Sequence, residues 1–356
     1  MSTYQSALDL ARQAPSTRNR YVDLLRAASI MVVVFGHWLL FAPQMLPDGP
    51  VFGNLLSVTT WTHYLTWIVQ VMPIFFLVGG YANAVSWRSA QRRGEPYGAW
   101  LRARLRRLLL PVVPLLAVWA VGAFTLLQTS VDPDLIRLAS QAALVPVWFL
   151  ATYVAVVALT PITLGAWDRY GWTAIAATAA LAGLMDLLSL GLGLEVAGYF
   201  NYLFVWGTVH SLGYAWADSR IGGVARRLVA SAVGLTATAT LVIWGPYPVA
   251  MVGLDTAGVT NSQPPKVTLI ALALFQAGLL LALEGPARRW LNRERPWAGV
   301  VLISGRIMTI YLWHLTAMVA LVGVSLLLDG FGLGVAADTG QWWLTRPLWL
   351  AALVGA

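Results

Sequence analysis

Apolar stretches of about twenty residues recur along the chain, separated by short polar connections. A hydrocarbon core roughly 30 Å thick takes about 20 helical residues to cross, and only a segment that satisfies its own backbone hydrogen bonds can do so. The pattern predicts ten spans, at about 22–42, 64–86, 108–128, 141–165, 172–194, 198–217, 228–246, 266–284, 299–325 and a partial one from about 343. Turn and breaker residues mark most gaps, with Pro43, Pro47, Asp48, Gly49 and Pro50 in the first and Gly253, Asp255, Gly258, Asn261, Pro264 and Pro265 in the seventh. Residues 343–356 are too few to cross and are interrupted by Arg346 and Pro347, so the tail is expected to be re-entrant or to be completed by further chain. No internal repeat stands out, which weakens an inverted-repeat transporter reading.

The expected fold class is therefore all-α, a polytopic transmembrane helix bundle of about ten spans with the last incomplete. Its domains are a cytoplasmic N-terminal arm, 1–21, and a single transmembrane domain, 22–356. The first span follows a polar arm carrying Arg12, Arg18 and Arg20, exceeds a signal-peptide core in length and lacks a small-residue cleavage site, so it reads as an uncleaved helix.

Composition agrees. Hydrophobic residues make up 58% of the 356 positions and charged residues 11%, against about 25% charged in ordinary soluble domains. A net charge of +8 would point to nucleic acid in a soluble protein, but here the basic residues cluster between apolar spans, where the membrane explains them. No nucleic-acid partner is expected. The absence of cysteine excludes disulfides, thiolate nucleophiles and cysteine metal sites.

Lys and Arg are distributed unequally between alternate connections, as the positive-inside rule requires of correct spans. With the N-terminus in the cytoplasm, 18 basic residues fall inside and three, Arg137, Lys266 and Arg346, outside. The other two, Arg26 and Arg306, fall within spans. Ionisable groups at bilayer depth are functional candidates by default, and the set is Asp23, Arg26, His37, Asp186, His210, Arg306 and His314.

Arg26 and His37 are eleven residues apart, 20° past three full turns, so both project from one face with a rise of roughly 16 Å between them. Asp23 lies at i−3 from Arg26, within helical pairing distance. Arg26 also fits an arginine snorkelling to the inner headgroups, and His37 also fits a core histidine satisfied by a carbonyl or hydroxyl. Arg306 and His314, eight residues apart, lie on adjacent faces of the ninth span; capping of carbonyls and packing are the bland alternatives. Asp186 and His210 could pair or belong to a proton path. His63, beside Trp61 and Trp67, reads as an interfacial residue. The stretch Trp100–Leu108, WLRARLRRL, fits an amphipathic segment against anionic lipid, or a surface where Arg104 and Arg107, at i and i+3, meet a phosphate-bearing substrate.

Other chemistries lack their signatures. There is no GxxxxGK[ST], HExxH or GxSxG, no His is followed five residues later by Asp, and four scattered histidines make a poor metal site, so none is expected.

Four segments, in order, resemble the acyltransferase-3 family of integral membrane acyltransferases. YVDLLRAASIMVVVFGH at 21–37 is similar to the family's first-helix pattern of Asp, an Arg three residues on and a His eleven after that. FFLVGGY at 75–81 resembles the motif usually read FFxxSGF, RLRRLLLP at 104–111 the Arg-x-x-Arg-Leu stretch, and IYLWH at 310–314 the late Tyr-Leu-x-His element. Gly79 stands where the family usually has Ser, and Tyr153 and Val154 replace the acidic pair that follows Val147-Trp148-Phe149-Leu150 in many members. These departures mark a divergent branch. The resemblance implies acyl transfer, of an acetyl or other short-chain group, from cytoplasmic acyl-CoA (acetyl-CoA) as cosubstrate to a hydroxyl of an extracytoplasmic glycan, lipid or related acceptor. No permanently bound cofactor is expected; the partners are the donor, the acceptor and membrane lipids, in the cell membrane. Oligomeric state stays open.

Under that reading His37, His314 and Arg306 are the catalytic candidates, and Asp23, Arg26, Arg104, Arg107, Trp148 and Tyr311 the substrate-binding ones. His37 would act as general base or, in a variant, carry the acyl group. The rivals are a proton-coupled transporter or lipid flippase using the same buried groups, and a scaffold in which they lock helices together.

Overall fold

The computed structural model describes residues 8–9, 11–13, 18–253 and 258–355; the rest of the N-terminal arm, the predicted turn residue Asp255 and Ala356 lie outside the described residues. The chain is helical almost throughout. The longer helices are α1 (Arg20–Leu40), α2 (Thr62–Val69), α3 (Met72–Arg92), α4 (Tyr97–Leu109), α5 (Val112–Leu126), α6 (Pro133–Ala158), α7 (Thr160–Tyr170), α8 (Trp172–Asp186), α9 (Asn201–Ala217), α10 (Val224–Trp244), α11 (Thr268–Ala282), α12 (Glu284–Leu291), α13 (Glu294–Leu327) and α14 (Gly340–Gly355). The proline-rich first connection forms a hairpin, β1 (Phe41–Leu46) against β2 (Gly49–Asn54), closed at Leu46 and Gly49.

Among the described residues six helical segments are long and apolar enough to cross a membrane: α1, α2 with α3, α6, α8 with its π-helical extension to Gly191, α10 and α13. Two bent pairs raise the number to eight, α4 with α5 at 40° and α11 with α12 at 50°. The bends fall where the sequence carries Pro111 and the Glu284-Gly285-Pro286 step, as expected of proline. The predicted span 198–217 is α9, only 17 residues long and buried around most of its circumference. The predicted partial span is α14, 16 residues long, or about 24 Å at 1.5 Å per residue, short of a crossing.

Local chemistry sets the helix starts. The Asn19 side chain accepts from the Tyr21 and Val22 amides at 3.1 and 3.4 Å, capping α1, while Asp132 caps α6 ahead of Pro133 in its first turn. Packing is tightest where glycines remove side-chain bulk. On α3 a Cβ at Gly80 would collide with the His210 carbonyl of α9, and one at Gly213 with the Leu77 carbonyl. Gly234 and Gly278 allow the same approach of α10 to α11. These are the small-residue crossings by which helices associate where no hydrophobic drive separates helix from lipid. A third pairing, α1 on α13, carries the candidate chemistry.

Candidate active site

One end of α1 is built around Asp23, a buried carboxylate in the first turn that binds two guanidinium groups, Arg18 Nε at 2.5 Å and Arg26 Nη2 at 2.8 Å. The bond to Asp23 holds the Arg18 guanidinium above its ordinary pKa range. These residues line an open cavity of about 490 Å³ together with Tyr81, Arg93, Arg104 and Arg107. Arg104 is positioned by the Ala82 carbonyl at 3.4 Å and by the Trp100 ring, 5.8 Å from its carbon. Arg107 is exposed and makes no ion pair among the described residues. Five arginines line the cavity against the single carboxylate of Asp23, which gives it a positive lining, with Arg93 also paired to Glu95 at 2.8 Å. It brings together Asp23, Arg26, Arg104 and Arg107, and adds Arg18, Arg93 and Tyr81, which sequence reasoning did not single out. Tyr81 closes FFLVGGY, and its hydroxyl accepts from Asn19, which ties α3 to the α1 cap at 2.9 Å.

Three turns further along α1, His37 meets His314 of α13. His37 Nδ1 lies 2.8 Å from His314 Nε2, with the rings 7° from parallel and their centroids 5.1 Å apart. His314 Nδ1 lies 2.7 Å from the Tyr311 carbonyl oxygen. That oxygen can only accept, so the hydrogen-bond pattern assigns a proton to Nδ1 and leaves His314 Nε2 with a lone pair. His37 Nδ1 is then the donor of the pair, and His37 Nε2 is its free basic nitrogen. Trp38 Nε1 donates to the His314 carbonyl at 2.9 Å, fixing α13 against α1 from the next residue. Outside its own helix and chain neighbours, no atom lies within 4 Å of where a Cβ on the partly exposed Gly36 would stand, so no other helix covers α1 at that position.

The histidine pair and the arginine cavity lie at different levels of α1, and the cavity lining stops at Arg26 without reaching His37. Ile30 and Val33 occupy the stripe between them, Ile30 buried and Val33 partly so.

Other candidates sit elsewhere. Arg306 is exposed, outside the cavity and without an ion pair among the described residues. The buried Tyr311 donates its hydroxyl to the Pro146 carbonyl at 2.8 Å and packs edge-on against Phe149, tying α13 to α6. Trp148 stands against Tyr202, ring centroids 6.4 Å apart.

Asp186 and His210 do not pair with one another. Asp186 accepts from Asn201 Nδ2 at 2.8 Å, the Val267 amide at 2.8 Å and Tyr247 at 3.1 Å, with buried Lys266 at 3.8 Å. His210 joins Asn83 at 3.1 Å and Tyr214 at 2.9 Å, and Tyr214 passes the chain to Thr163 at 2.8 Å. The two sets share no hydrogen bond among the described residues, and within the first the Asn201 Oδ1 is buried without a partner. His63 Nε2 bonds the Leu56 carbonyl at 2.8 Å near exposed Trp61.

Comparison with curated proteins and with solved structures gives no match. The family comparison matches residues 19–356, nearly the whole chain, to an acyltransferase domain. Its span takes in the arginine cavity, the histidine pair and the helices that hold them, and the chain belongs to the acyltransferase-3 family of membrane acyltransferases.

Proposed function

We propose that the protein transfers a short acyl group, acetyl in the simplest case, from cytoplasmic acyl-CoA to a hydroxyl of an acceptor on the far side of the cell membrane, with His37 as general base. The observation that carries this reading is the histidine pair: a carbonyl fixes His314, His314 fixes His37, and His37 Nε2 is left without a hydrogen-bond partner among the described residues.

In this reading the arginine cavity faces the cytoplasm and holds the phosphates of coenzyme A. Arg26 and Arg104 are held in place by Asp23 and the Ala82 carbonyl, and Arg107 is free to fork onto phosphate oxygens. The pantetheine arm follows the Arg26–His37 stripe, about 16 Å of rise. His37 Nε2 removes the proton of the acceptor hydroxyl as its oxygen attacks the thioester carbonyl carbon. The tetrahedral intermediate collapses, the carbon–sulfur bond breaks, and the proton on His37 leaves with the thiolate as free coenzyme A. His314 Nε2 accepts the His37 Nδ1 hydrogen throughout, which orients the imidazolium as a buried partner does in a catalytic triad. General-base assistance is worth about 10²–10⁴-fold. Arg306, exposed and outside the cavity, has no step in this scheme.

Purified protein given labelled acetyl-CoA tests the reading. Donor binding, with acetyl transfer or hydrolysis falling at least about 100-fold in His37→Ala, is the expected result. Saturating coenzyme A that fails to bind, or turnover indifferent to His37, would overturn it.

A further inference from the structure

Helix α14 places Trp342, Arg346 and Trp349 at i, i+4 and i+7, a single stripe. Trp342 is buried in a cluster with Ala42 and Leu55 just beyond α1, and Trp349 donates its indole N–H to the Trp38 carbonyl at 3.2 Å. The Arg346 guanidinium lies between the two indoles, 4.3 Å from the Trp342 ring centroid and 5.3 Å from that of Trp349. The residue is only 7% exposed. Among the described residues nothing accepts a hydrogen bond from it or pairs with its charge, and its Nε and Nη1 atoms are buried without a partner. Asp338, the nearest acid in sequence, instead accepts from Trp343 at 3.1 Å.

Cation–π attraction to two indoles stabilises the faces of the guanidinium but leaves its edge unsatisfied. A buried donor without an acceptor is unfavourable, and a charged one more so. The planar fork of N–H groups at that edge matches a carboxylate or phosphate, not a neutral hydroxyl. Its place in the fold identifies the molecule that would supply the anion. Trp349 bonds the Trp38 backbone, and the Trp38 indole bonds His314, so the stripe abuts the histidine pair at the end of α1 opposite the arginine cavity. An acceptor, not the coenzyme, arrives from that end. Beside it Trp343 packs against exposed Trp61, ring centroids 6.1 Å apart, so aromatic surface flanks the approach.

We propose that the edge of Arg346, clamped between Trp342 and Trp349, is a subsite for an anionic oxygen group, carboxylate or phosphate, carried by the acceptor. The ligand's role as acceptor rests on the acyltransferase reading; the anion preference does not.

The full chain in phosphatidylcholine nanodiscs is titrated with octyl β-D-glucuronide, octyl phosphate and, as the neutral control, octyl β-D-glucoside. The wild type is expected to bind one anionic probe at least tenfold more tightly than the glucoside, and which of the two it prefers separates a carboxylate from a phosphate. Arg346→Gln is expected to abolish the preference, and Arg346→Lys, which keeps charge but loses the fork, to weaken it several-fold. Equal binding of all three probes by the wild type, or a preference that survives in Arg346→Gln, overturns the proposal. Should Arg346→Gln fail to fold, modification of wild-type Arg346 by phenylglyoxal, read by peptide mass spectrometry, decides the same point: the preferred anionic probe protects it and the glucoside does not. Coenzyme A binding in the same nanodiscs is expected to be unchanged in Arg346→Gln. If coenzyme A does not bind the wild type while the anion preference stands, the acyltransferase reading fails and the subsite survives.

Discussion

Gly79 and Tyr153 are 74 positions apart in the chain, yet they belong to one packing exchange. A Cβ on Gly79 would sit 2.7 Å from Tyr153 Cε2 and 2.8 Å from its hydroxyl oxygen, closer than real contacts allow. Read along the chain, a missing serine and a missing acidic pair are two separate departures from a family pattern; in space the tyrosine fills the notch the glycine leaves. Gly79→Ser is therefore expected to destabilise the protein by about 1–3 kcal/mol. Tyr153→Ala in the same chain should recover part of that loss, and a double-mutant cycle on melting in detergent measures the coupling. The same limit applies to the histidines. The rule for helical faces puts Arg26 with His37 and places Arg306 on a face adjacent to His314. Which face of α13 turns toward α1 depends on packing, so the partner of His37 is not legible along the chain, nor is Arg306's exposed place outside the cavity. Arg346 was read as an interruption of an apolar run; its tryptophan clamp needed the helix to be folded first. His314→Ala should lower acyl transfer by about tenfold or more while leaving coenzyme A affinity within about twofold, because it removes only the group that orients His37. Equal losses in both would show a structural role alone.

At the scale of helices, hydropathy marked the apolar helices, because burial in lipid acts locally, but it overcounted crossings: ten spans are expected, and six to eight helical segments among the described residues are long and apolar enough. What hydropathy cannot separate is a helix surrounded by lipid from one surrounded by protein. Helix α9 reads as a span, yet it is short and enclosed, with the crossing at Gly80 and Gly213 pressed against α3. Gly80→Ala should abolish accumulation of folded protein, measured as monodisperse yield after extraction, since the added carbon collides with backbone instead of a movable side-chain tip. The seam of α1 with α13 makes a different demand. The cavity ends at Arg26, so a thioester reaches His37 only when the packing beside Ile30 and Val33 yields. Val33→Trp is expected to leave coenzyme A binding intact and to reduce transfer by about tenfold or more. Unimpaired transfer would place the donor's route elsewhere.

For the molecule as a whole, the proposed direction of transfer depends on which side each end of the bundle faces, and the lack of native cysteine allows a clean measurement. Glu95→Cys lies in the connection beyond α3 at the arginine-rich end, and Asp338→Cys lies between α13 and α14 at the other end. In intact cells a membrane-impermeant maleimide should label the second and spare the first until the membrane is opened. The reverse pattern would invert the orientation that the arginine counts imply. The glycines carry a further consequence. Where α3 meets α9 the absence of a side chain is filled by neighbouring backbone; at Gly36, one residue from His37, no other helix comes within 4 Å of where a Cβ would stand. Bulky replacements should therefore sort into two phenotypes in one mutagenesis library, depleted yield at Gly80 and Gly213 and normal yield at Gly36, and a screen scoring abundance and activity side by side tells whether the uncovered side of α1 next to His37 serves turnover or only meets lipid.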